Sequence, residues 1–149
     1  MTDPTLHLPG EGEDHVMGAS RICLKATSAD TDGAFFLSET TVEPGFAGPP
    51  LHIHRTLTDM FYVLEGTLTF RLGEETIEGP AGTFFCAPPG TRHTFSNPSA
   101  EPARFLNFNV PGGFEVYMRE LAAAWTRNGG PPDPATIGEI ASRHDFEVV

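Results

Sequence analysis

The sequence predicts an all-β domain, an antiparallel sandwich or barrel, followed by a short helical extension. Short runs rich in Val, Ile, Thr, Phe and Tyr recur from about residue 20 to residue 110, separated by Gly, Pro and Asp breakers. No segment between them carries a helical apolar period, so no helix is expected among the strands. Past Pro111 the pattern changes: Phe114, Tyr117, Met118, Leu121 and Trp125 recur at three- and four-residue steps.

In order along the chain, residues 1–17 are acidic and rich in Gly and Pro, which predicts an arm or a loosely attached first strand. Strands are expected at about 20–27, 34–42, 51–54, 59–65, 67–72, 75–78, 83–87, 92–96 and 103–110. Thr31-Asp32-Gly33, Glu43-Pro44-Gly45, Gly79-Pro80 and Pro88-Pro89-Gly90 read as turns between them. The first helix should pack its aromatic stripe on the outside of the strands, the alternatives being a pocket wall or a dimer contact, with Glu115 and Arg119 as an i,i+4 ion pair. Asn128-Gly129-Gly130-Pro131-Pro132 ends it, and Asp133-Pro134 opens a second helix as N-cap and first helical residue.

Composition narrows the partners. Nine basic against twenty acidic residues give a net charge of −11 with no basic stripe, which argues against nucleic acid and against an anionic membrane surface. No run of 18 apolar residues is present, and the N-terminus has no basic-then-apolar leader pattern; a cytoplasmic location is the expectation. Cys23 and Cys86 lack pairing or metal spacing and read as buried free thiols.

The chemistry sits in three histidines and a carboxylate. His52 and His54 are two apart in a strand, so both project from one face, and His93 from a later strand can complete a site with Asp59. Imidazoles with one carboxylate suit a divalent transition metal: iron, nickel, manganese, copper or zinc. One such ion per chain is expected. His7, His15 and His144 have no such company and read as surface residues.

The spacing closely resembles the two motifs of the cupin superfamily, G-x5-H-x-H-x3/4-E-x6-G and G-x5-P-x-G-x2-H-x3-N. Gly82, Pro88, Gly90, His93 and Asn97 match the second throughout. His52, His54 and Gly66 match the first, with one extra residue after Gly45 and with Asp59 in place of the family's metal-binding Glu. The resemblance implies a jelly-roll barrel over residues 18–111, followed by an extension over 112–149 packed on it. It also implies His52, His54, His93 and Asp59 as metal ligands. Asp is shorter than Glu by one methylene, roughly 1.5 Å, whereas metal–ligand distances hold to about ±0.2 Å. The strand shifts inward, a water bridges, or the site is effectively three-histidine.

Within the superfamily, Pro49-Pro50-Leu51-His52-Ile53-His54, Phe61-Tyr62-Val63-Leu64-Glu65-Gly66 and Pro111-Gly112-Gly113-Phe114-Glu115 resemble small bacterial quercetin dioxygenase-like proteins. That implies metal-dependent oxidative cleavage of a small aromatic or enol, flavonol-like substrate, with Asp59 taking the substrate's hydroxyl proton. Strand parity places Phe61 with Asp59 and Phe95 with His93, and gives Leu106 and Phe108 as the apolar register of the last strand. These four are the expected substrate contacts. A metal-dependent isomerase or lyase on a small polar substrate, and a non-catalytic small-molecule-binding cupin, are the alternative readings. Open strand edges, and the habit of the family, imply a homodimer through the N-terminal strand.

Overall fold

The computed structural model describes residues 2–149. Eleven strands form two antiparallel sheets: β1 (Glu13–Met17), β2 (Ser20–Ala26), β3 (Phe36–Val42), β4 (His52–Ile53), β5 (Thr58–Glu65), β6 (Thr67–Leu72), β7 (Glu75–Pro80), β8 (Phe84–Ala87), β9 (His93–Ser96), β10 (Ala103–Val110) and β11 (Glu147–Val148). One sheet runs β1-β2-β3-β10-β5-β8 and the other β11-β4-β9-β6-β7. Three helices accompany them: α1 (Ser28–Thr31), α2 (Phe114–Asn128) and α3 (Pro134–Ser142). This is the jelly-roll barrel with a helical C-terminal segment.

Alternating burial builds the barrel. Along β3, Phe36, Ser38, Thr40 and Val42 face in while their neighbours face out. Val42, Phe61, Val63, Leu68, Phe70, Ala103 and Phe105 meet between the sheets as the closed end of the core. The tight β5–β6 connection requires Gly66, which holds φ 74° and lies so close to the Pro102 carbonyl that a side chain would collide with it. At the other end of the core, Met17, Ile22, Leu24 and Phe36 pack against the apolar face of α2. The same helix joins α3 through a cluster of Tyr117, Ala124, Ile140, Ala141 and Phe146.

Several expectations are corrected. A helix does interrupt the strands: Thr27 and Asp30 form a reciprocal capping box that nucleates α1 where a plain turn was expected. Of the two readings for residues 1–17, the first strand holds over Glu13–Met17, where β1 pairs with β2. Arg119 does not pair with Glu115. It reaches Glu13 at 2.9 and 3.0 Å, while Glu115 is buried and accepts the Ser28 N–H at 2.9 Å. Cys23 is buried but Cys86 is exposed, because its strand β8 is a sheet edge with an outward-facing side. The second helix starts as expected, with Asp133 accepting the Thr136 N–H at 2.7 Å.

Candidate metal centre

His52, His54, Asp59 and His93 come together as one buried cluster whose ligand atoms all lie within 4.8 Å of one another. Three local events assemble it. Pairing of β4 with β9 sets His52 directly opposite His93. The Pro88-Pro89-Gly90 turn brings the Gly90 N–H to the His54 carbonyl at 2.7 Å, tying the two motif segments together. Asp59 enters from the other sheet, on β5 opposite Asn109 of β10. Asn97, fully buried, has a structural part: its amide donates to the Glu101 carbonyl at 2.9 Å, and its carbonyl accepts from Ser99.

Each imidazole is oriented through Nδ1. His52 donates to the Pro50 carbonyl at 2.8 Å, His54 to the Asp145 carbonyl at 2.5 Å and His93 to the Thr91 carbonyl at 2.9 Å. A carbonyl only accepts, so Nδ1 carries the proton and Nε2 presents a lone pair to the centre. Asp59 Oδ2 lies 3.0 Å from His93 Nε2 and 3.4 Å from His54 Nε2. A carboxylate oxygen this close to those nitrogens requires positive charge between them, supplied by protons on Nε2 or by a cation. A divalent transition ion fits this donor set.

The shorter carboxylate does reach. Asp59 Oδ1 accepts from Asn107 and from Asn109, each at 2.7 Å, and that grip turns Oδ2 toward the histidines. Burial pushes the Asp59 carboxyl up, but the bonds and charges of His54 and His93 outweigh it and hold it well below the usual carboxylate range. Burial lowers His52 to about 4, keeping it neutral and available as a donor. For His54, burial opposes the charged form, yet Asp59 overcomes it and the net shift is upward.

The C-terminal segment completes the centre, and sequence reasoning missed it. Besides its carbonyl on His54, Asp145 accepts with its carboxylate from the N–H groups of Arg55, Thr56 and Leu57 at 2.5, 2.9 and 3.0 Å. Phe146 stacks on the His52 ring with centroids 4.1 Å apart, and β11 pairs with β4 at His52 and Ile53. No local pattern signals this contact, since Asp145-Phe146 carries no motif.

A cavity of about 240 Å³ opens onto the cluster. Phe61 and Phe95 line it, together with Phe46, Phe105, Phe114, Tyr117, Trp125 and Phe146. Leu106 and Phe108 do not, which corrects the parity reading. Phe105, Asn107 and Asn109 are the inward residues of β10, because Asn107 and Asn109 hold Asp59; Phe108 packs instead on Phe35 at 5.3 Å. The aromatic stripe of α2 faces this cavity. His7 is exposed, His15 bonds Glu13 and the half-buried His144 bonds Glu120, all away from the cluster.

Residues 38–109 match the cupin domain family. This stretch is a cupin domain. The chain is also 28% identical, over 86% of its length, to quercetin 2,3-dioxygenase of Bacillus subtilis, and spans 37% of that longer protein. In fold it is similar to KdgF from a Halomonas species (TM-score 0.63, 16% identity, 76% of this chain and 99% of that one). The polyketide cyclase RemF of Streptomyces resistomycificus is similar too (TM-score 0.62, 22% identity, 70% of this chain and 78% of that one). Among the described residues, no helix is long and apolar enough to cross a membrane.

Proposed function

We propose that this cupin is a metal-dependent dioxygenase acting on a small aromatic enol, with His52, His54, His93 and Asp59 as ligands of one divalent ion. The observation that carries the reading is the pairing of this donor set with an aromatic-walled cavity that contains no Lys or Arg among its described lining residues. Beyond the ion itself the cavity offers no cation to a sugar phosphate and little but hydrocarbon to a polar chain, so the apolar lining favours the aromatic substrate over the small polar one. At about 240 Å³ the cavity lies below the usual range of roughly 300–1,000 Å³ for ligand pockets, which suits a compact, planar molecule.

When bound, the ion would supply Lewis acidity toward an enol and, if redox-capable, electrons for dioxygen. The chain's own residues do the rest. Phe61, Phe95, Phe114 and Tyr117 orient the ring and keep water from the cluster. Asp59 Oδ2 takes the substrate's hydroxyl proton.

The test is oxygen consumption with a flavonol by wild type, Asp59→Ala and Asp59→Glu, each loaded in turn with iron, nickel and manganese. Wild type turns over, Asp59→Ala falls by about 10²-fold or more, and Asp59→Glu is impaired because the longer arm crowds the centre. Absence of oxygen uptake by wild type with every metal would retire the dioxygenase in favour of a binding protein. We further propose that the chain pairs as a homodimer through the β1 edge; light scattering giving a monomer at micromolar concentration would remove that element.

A further inference from the structure

The inner face of β3 carries two hydroxyls where the barrel otherwise places hydrocarbon. Its inward residues are Phe36, Ser38, Thr40 and Val42, all buried. Phe36 and Val42 pack in the core and stay apolar, whereas Ser38 and Thr40 both line the cavity. Their exposures are 1% and 6%, and their side-chain hydroxyls share one long hydrogen bond with each other, at 3.4 Å. That is longer than a normal O–H···O bond, so both hydroxyls keep nearly all their hydrogen-bonding capacity. Ser20 differs: it lines the same wall but donates to the Met17 carbonyl. Buried hydroxyls left without good partners are unfavourable and uncommon in folded proteins, and a pair aimed into a binding cavity has a use for them.

Their position relative to the metal centre gives the use. Ser38 lies opposite Asn107 of β10, and Asn107 lies opposite Phe61 of β5, the strand that carries Asp59. Two strand spacings therefore separate the hydroxyl wall from the Asp59 strand, about 10 Å at roughly 4.8 Å each. Between them on β10 stand Asn107, opposite Ser38, and Phe105, opposite Thr40. No charged side chain other than Asp59 and the histidines is among the described lining residues, so the group read at this wall is neutral.

We propose that Ser38 and Thr40 form a second anchoring point, which selects aromatic substrates bearing a neutral oxygen substituent at the end away from the chelating enol. This rests on the aromatic-enol reading above and names the substrate class within it. The pair donates to, or accepts from, a phenolic hydroxyl or carbonyl, and fixes which edge of the ring system meets the metal centre. Ser38 and Thr40 thus set specificity and take no part in the chemistry.

Trp125 is the single tryptophan and lines the same cavity, so its fluorescence reports binding without turnover. The experiment titrates zinc-loaded protein, redox-inert, with quercetin, which has distal hydroxyls, and with 3-hydroxyflavone, which has only the chelating edge. Wild type should bind quercetin about tenfold tighter, the factor expected of one or two hydrogen bonds. The Ser38→Ala/Thr40→Val double variant should bring the two affinities together by weakening quercetin alone, and Thr40→Ser should keep the preference. Unchanged melting temperature and zinc content certify the fold of each variant. A preference that survives in the double variant, or an equal loss for both ligands, overturns the inference and leaves the proposed function standing. If neither ligand quenches Trp125 in wild type, the aromatic-enol reading falls and this inference with it.

Discussion

Two regions of the chain meet at the histidine cluster, and they arrive there by different routes. The first is the strand framework of β4, β5 and β9, where a two-residue step, a turn and a paired strand place the three histidines, and β10 holds Asp59 against them. The second is the tail at Asp145 and Phe146, which reaches the same ligands from some ninety positions along the chain. The framework lies within the residues that match the cupin family; the tail lies beyond them. The framework supplies donor atoms, and the tail fixes the loop and ring that present two of them. For His54, the donor atom and the group that orients it thus come from different parts of the chain.

The largest effect should come from breaking the framework. His52→Ala with His93→Ala should abolish binding of one divalent ion per chain, as read by elemental analysis of protein purified without a nickel column. Metal retained stoichiometrically in the double variant would contradict the assignment. Stripping the ion from wild type should lower the melting temperature, because an ion held only by the folded state adds to its stability.

Breaking the tail should be milder on metal and severe on stability. Asp145→Ala leaves three loop N–H groups without their carboxylate, at a cost of about 3 kcal/mol. It should weaken metal affinity by about 10-fold to 100-fold while leaving stoichiometry intact, as loss of an orienting partner does. Affinity equal to wild type in a folded variant would show that the tail has no part in holding the site.

A pH titration separates the two further. His52 is lowered to about 4 by burial, against an unfolded value near 6.5. The unfolded chain therefore takes the proton first, and the stability His52 contributes is present above about pH 6.5 and lost as pH falls toward 4. That loss is at most about 3 kcal/mol. His54 has the opposite sign: its raised pKa contributes stability below its unfolded value that is lost as pH rises through the folded one. Thermal melts of metal-free wild type and His52→Gln between these limits should show a shallower acid loss in the variant. Identical acid slopes would refute the role of His52. The smallest effect is expected at the exposed Arg119–Glu13 pair, where Arg119→Ala should cost under about 1 kcal/mol in denaturant unfolding and leave metal binding unchanged.

The strands and the four donors were legible in the sequence because both depend on spacing along a short stretch. Period-two burial, Gly-Pro turns and a His-x-His step are local, and a strand can satisfy them only one way. The facing of β10 was misread for a physical reason. Apolar residues normally mark the inward register, but Asn107 and Asn109 turn in to bind Asp59, which puts Leu106 and Phe108 on the other face. Local pattern fails where a buried charge requires polar partners.

By itself, then, the sequence determined an antiparallel sandwich or barrel with two helices after it, and brought out three histidines and a carboxylate as candidate donors, since these follow from periodicity and from which atoms can bind a metal; jelly-roll closure came from the resemblance to the cupin motifs. Only the tertiary structure decided that the Asp59 carboxylate reaches the histidines, that α2 faces the cavity and that Asp145 and Phe146 close the centre. Each of those depends on how the β5 and β10 strands pair and where the chain's end docks. These are long-range contacts whose free energy is shared across many residues, and no short window of sequence contains them.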